Sequence, residues 1–172
     1  MKFNLDDAIA ILDRTPVALN SQLKDLPEDW VKQNEGAGTW SPFDVIGHLI
    51  HGEKTDWVVR TKVILFEENK EFVPFDRFAQ MTADQSTSMN ELLDDFSKLR
   101  RDNLNELRSF EISEDDLNME GIHPEFGTIS LRNMLSAWVA HDLGHIVQIN
   151  RVMAKLYKEE CGPWPKYLKV LN

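Results

Sequence analysis

A single cysteine, Cys161, is all the thiol chemistry this chain of 172 residues holds. No internal disulfide can form, so packing must carry the fold, and a reducing cytoplasm is the expected setting. Basic residues are in the minority, 19 Lys and Arg against 29 Asp and Glu, for a formal net charge of -10. A nucleic-acid partner needs a basic surface, so none is expected. Long apolar runs are missing too: none approaches the roughly 20 residues that span a bilayer, so no membrane partner is expected. The acidic start, Met1 to Asp7, lacks the basic and apolar regions of a secretory signal. The sequence has no glycine-rich phosphate loop and no convincing run of alternating strand pattern.

What is present is helical periodicity. Hydrophobic residues make up 42% and charged residues 28%, the balance of a globular chain, and 172 residues suit a single domain spanning 1–172. Asn4 caps a first helix with Ala8, Ile9 and Leu12 on its apolar face. Thr15-Pro16 kinks or restarts it, and it runs to about Leu23. Residues 27–40 read as a loop anchored by Trp30 and Trp40. Ser41, Pro42 and Asp44 then open a second helix, with a stripe of Val45, Leu49, Gly52, Asp56, Val59 and Val63, expected to run unbroken to about Glu67. After an irregular 68–87, Ser88 and Glu91 form a capping box for a third helix ending near Ser109. Residues 110–129 are irregular, with room for a short extended turn. Ser130 starts the last long helix, whose inward stripe is Leu131, Met134, Leu135, Trp138, His141, His145, Ile149, Val152 and Leu156. Gly162, Pro163 and Pro165 end it, before a short helical tail from Lys166 to Leu171. Four long helices predict an all-α fold, a four-helix bundle with long inter-helix connections.

Chemistry concentrates on the last stripe. His141 and His145 stand one turn apart on one helix face, the spacing by which a helix gives a metal two nitrogen ligands. Both occupy positions where Leu or Ile is expected, and a buried imidazole without a partner is costly. A third ligand is needed. His48 lies on another long helix beside its apolar stripe. His51, nearer the solvent side, is the rival, and His123 could approach from a loop. Three imidazoles suit zinc, nickel, cobalt or iron(II), and leave a position for water or substrate. Asp142 reads as a partner orienting a ligand, as a surface carboxylate or as part of an ion pair, the last two being favoured. Gly47 and Gly144 each precede a candidate ligand, which allows close packing or leaves space there.

Three blocks carry a family resemblance. They are Trp40-Ser41-Pro42 leading to Gly47-His48-Leu49, then residues 121–131 from Gly121 through His123-Pro124 to Leu131, and residues 138–151 from Trp138 to Arg151. In them the chain resembles the DinB-like, or YfiT-like, superfamily of metal-dependent proteins from about residue 5 to 158. The resemblance implies a four-helix bundle, usually a homodimer, with a divalent metal, often nickel or zinc, on His48, His141 and His145. Activities among such relatives include S-transfer with low-molecular-weight thiols such as bacillithiol or mycothiol. The functional expectation is therefore a metal-dependent enzyme acting on a small molecule, most plausibly a thiol S-transferase or a related metal-assisted hydrolase. The alternative is a non-catalytic metal-binding or stress-response bundle with structural histidines. No catalytic side chain beyond the ligands is singled out.

Overall fold

Three serines start the helices that carry the core. The computed structural model describes residues 1–82 and 86–172. In it Ser41, Ser88 and Ser130 each close a reciprocal capping box, with Asp44, Glu91 and Asn133 respectively. Each cap satisfies main-chain N–H groups that the helix itself leaves free and is worth about 1 kcal/mol. They open α4 (Pro42–Thr55), α6 (Met89–Ser109) and α7 (Leu131–Lys155). The N-terminal section is α1 (Leu5–Leu12), capped by Asn4, and α2 (Thr15–Leu23), which restarts on Pro16. A short α3 (Glu28–Lys32) interrupts the loop that follows.

The second long helix does not run unbroken. It turns at Asp56, with φ -117° and ψ -86°, and resumes as α5 (Trp57–Phe66). Neither proline nor glycine occupies the break, so tertiary packing sets it. The Trp57 ring stacks on Trp138 with centroids 5.7 Å apart, and its indole nitrogen lies where a Cβ on Gly52 would come within 3.2 Å. The break also shifts the helix phase. Val58, Thr61 and Ile64 are buried, while Val59, expected on the inward stripe, is exposed.

Residues 110–129 hold a hairpin that the sequence signalled only as an extended turn. Strand β1 (Glu120–His123) pairs antiparallel with β2 (Gly127–Ser130), with Gly121 opposite Ile129. The hairpin is stitched to the 68–87 connection by main-chain bonds from Ile122 N to Lys70 O (2.8 Å) and from Phe72 N to Ile122 O (2.9 Å). Gly121 is required there: a Cβ would lie 2.6 Å from the Phe72 ring and 2.9 Å from Ile64. Gly121→Ala is therefore expected to lose about 1–3 kcal/mol by overpacking, read as a lowered urea midpoint with unchanged slope.

Two apolar clusters fill the bundle. One gathers Leu12, Trp57, Leu104 and Trp138; the other gathers Leu19, Ile50, Phe96 and Ile149. Between them, along the helices, sit three buried charges: Glu53, Arg100 and Asp142. Arg100 is 1% exposed. Its Nη1 donates to Asp142 at 2.6 Å and to the Leu12 carbonyl at 2.8 Å, and its Nη2 donates to Glu53 at 2.8 Å. Asn103 donates to the second Glu53 oxygen at 2.9 Å. Asp142 is thus no surface carboxylate; it is fully buried in an ion pair. Among the described residues, no helix is long and apolar enough to cross a membrane.

Candidate metal centre

Helices α4 and α7 pack so that three ring nitrogens converge. His48 Nε2 lies 3.1 Å from His141 Nε2, and His145 Nε2 lies 3.0 Å from the same atom. The spacing of four residues on α7 and the position of His48 on the inner side of α4 produce this directly. His51, the rival, is one turn off. Among the described residues its ring reaches only Thr55 Oγ1, at 3.4 Å, and it packs near Phe75. His123 does not join the group either.

The donor set fits a divalent metal. Metal–nitrogen bonds of about 2.0–2.1 Å place two ligating nitrogens about 2.9 to 3.4 Å apart as the angle opens from a right angle to tetrahedral. Both observed separations fall inside that range. His145 Nδ1 faces Gln148 Oε1 at 2.9 Å, which assigns the ring proton to Nδ1 and leaves Nε2 free to ligate. Among the described residues, the Nδ1 atoms of His48 and His141 are buried with no hydrogen bond of normal geometry, although a backbone group of Arg77 lies near His48. Asp142 Oδ1 is 3.8 Å from His141 Nδ1, too long for a hydrogen bond. Burial opposes the charge on Asp142, but the His141 ring and Arg100 outweigh it and hold its carboxyl below the usual range.

The His48 and His145 rings are held uncharged, the state a metal requires. Burial first, and then the neighbouring imidazoles, push His48 down to about 3. Burial and His141 push His145 to about 4, against the Gln148 hydrogen bond. An unfolded chain takes up these protons near pH 6.5. Between pH 6.5 and the folded values the unfolded state binds more protons, so stability is full above about 6.5 and falls as pH drops toward 4 and 3. Metal-free protein is expected to lose on the order of 2 kcal/mol between pH 7 and pH 4.5 from His48 alone, measured by urea unfolding, with a shallower loss in His48→Phe.

The site opens on a cavity of about 1000 Å³. Trp40 lies against His48 with centroids 4.8 Å apart, and Trp57 is edge-on to His141 at 5.1 Å. Trp40 therefore packs on the site itself, beyond anchoring its loop. Gly47 abuts Gln80, whose Cβ would lie 3.1 Å from an added Cβ, whereas Gly144 faces open space.

Sequence reasoning passed over two charged pairs in the cavity wall. Asp56 at the break and Arg60 on α5 pair at 2.7 Å, one turn apart. Burial raises the Asp56 carboxyl against the pull of Arg60. Arg151 binds both carboxylate oxygens of Glu35 at 2.8 Å. The first pair was legible as charges four apart on a buried stripe. The second joins residues far apart in sequence, and no local signal marks it.

A family model for the DinB superfamily matches residues 11–149. Among solved structures, the chain is similar to YfiT from Bacillus subtilis, with a TM-score of 0.75 and 22% identity over 88% of this chain and 86% of that one. That protein is described as a probable metal-dependent hydrolase with an unusual four-helix bundle topology. No curated protein matches the chain.

Proposed function

Because the chain belongs to the DinB superfamily, we propose that it is a divalent-metal-dependent enzyme with His48, His141 and His145 as its ligands. The observation that carries this reading is the convergence of three Nε2 atoms on the wall of a large cavity, with no fourth acidic, histidine or cysteine ligand in the cluster among the described residues. Three protein ligands and open space are the pattern of a catalytic site, whereas a structural site is closed by four. A bound zinc or nickel ion would supply Lewis-acid polarisation and lower the pKa of a thiol or water. The protein's own groups would set orientation. Gln148 fixes the His145 ring, Trp40 and Trp57 wall off the imidazoles, and the Asp56–Arg60 and Glu35–Arg151 pairs leave the cavity wall polar but compensated.

The reaction proposed is S-transfer from a low-molecular-weight thiol of the bacillithiol type to a small electrophile, with metal-assisted hydrolysis as the neighbouring chemistry. A cytoplasmic setting suits a thiol substrate and the single unpaired Cys161. We also propose a homodimer. The outer face of α7 presents Ala140, Leu143, Gly144 and Val147, exposed and uncharged, a surface suited to a second copy and checkable by light scattering.

The test is metal analysis of protein purified without a polyhistidine tag, followed by thiol-transfer and ester-hydrolysis panels on metal-loaded and metal-free protein. Bound metal and turnover that depends on it support the reading. Protein that stays metal-free after exposure to zinc and nickel removes it. Metal binding that only raises thermal stability, with no turnover on either panel, favours the structural alternative.

A further inference from the structure

His123 takes no part in the three-nitrogen cluster, yet it lines the same cavity from the hairpin turn. Its Nδ1 accepts two main-chain hydrogen bonds, from Glu125 N at 3.1 Å and from Phe126 N at 3.3 Å. An acceptor nitrogen carries no proton, so the single proton of the neutral ring sits on Nε2. The Phe126 ring stacks on the imidazole with centroids 4.5 Å apart, and Phe72 meets it edge-on at 6.3 Å, which fixes the ring plane. Burial and the Arg60 guanidinium lower its proton affinity. Among the described residues, Nε2–H has no hydrogen-bonded protein partner.

We infer that His123 is a binding residue of the cavity: a neutral imidazole fixed as a hydrogen-bond donor to a carbonyl or carboxylate oxygen of the bound molecule. It is not a proton shuttle. Protonating Nδ1 would set it against two N–H groups, and removing the Nε2 proton would leave an imidazolate. The inference rests on the cavity being the ligand site of a metal enzyme.

Two substitutions separate its turn-capping role from its donor role. In His123→Asn the amide oxygen takes the place of Nδ1, keeping the turn and losing the donor. In His123→Gln the amide nitrogen takes the place of Nε2, keeping the donor. Long-range ¹H–¹⁵N spectra of the full chain are expected to show His123 neutral with the proton on Nε2 at pH 7 to 8, with or without metal. A proton on Nδ1, or an imidazolium at pH 7, overturns the inference.

The binding arm uses zinc-loaded protein and a series of ω-carboxyalkyl hydroxamates of increasing chain length, each against its methyl-ended counterpart. At one length the carboxylate is expected to tighten binding about tenfold, the worth of a hydrogen bond to a charged group. That gain is expected to vanish in His123→Asn and to persist in His123→Gln. No gain at any length, or a gain that survives in His123→Asn, overturns the assignment. If even acetohydroxamate fails to bind, the metal reading has failed together with the ligand role of His123, while the tautomer result still reports on the turn.

Discussion

His141→Ala is expected to lower zinc affinity by more than about 100-fold, past the 10–100-fold that loss of an outer partner costs. His141 holds the middle position of the cluster. Its Nε2 is the atom that both His48 and His145 approach, at 3.1 and 3.0 Å. Without it, two nitrogens from two different helices remain, and the site becomes a weak two-point clip. Competition against a chromophoric chelator measures the loss. His51→Ala is the matched control, since His51 lies on the same helix as His48 but outside the cluster. Equal affinity in His141→Ala and the parent protein would remove the three-histidine centre. The fold is expected to survive the change, because His141 is a half-buried ring at the edge of a cavity.

Arg100→Ala is expected to cost about 3–5 kcal/mol of folding stability, a large share of the margin of a domain this size. The substitution removes the one cation from a buried layer and leaves Glu53 and Asp142 facing each other without compensation. Burial works against the charge on Arg100, but the two carboxylates more than offset it and hold its pKa above the ordinary value. The Leu12 carbonyl and Asn103 complete the set. Urea unfolding gives the magnitude. A triple change of Arg100→Met, Glu53→Gln and Asp142→Asn is expected to recover much of the loss, because it removes the charges together rather than stranding two. A loss below about 1 kcal/mol would mean that the carboxylates reach water in the variant.

Periodicity carried the architecture. Helix starts at Ser41, Ser88 and Ser130 were readable because capping is local chemistry. The three-histidine cluster was readable for the same reason: two imidazoles four apart on an apolar stripe announce themselves, and His48 stood beside the stripe of another helix. Apart from the local Asp56–Arg60 pair, what escaped was set by contacts between distant segments. The break at Asp56 depends on Trp57 meeting Trp138, and its effect, burying Val58 in place of Val59, follows from that contact alone. The hairpin has two four-residue strands, too short for alternation to register, and its Gly121 reads as punctuation until the Phe72 ring is placed on it. An ion pair was among the readings of Asp142, but its burial and its partner, Arg100 on a distant helix, carried no local signal.

The buried charged layer has a consequence for how the four helices are indexed along the bundle. Purely apolar helices can slide past one another by a turn, about 5.4 Å, and still bury similar surface. Here such a slip would drive Glu53, Arg100 and Asp142 into the apolar clusters on either side, each stripped of its partner. The layer acts as a detent that admits one axial setting. His141 is the immediate neighbour of Asp142 in sequence, and His48 stands five residues before Glu53, so the detent that aligns the helices also sets the height at which the three nitrogens meet.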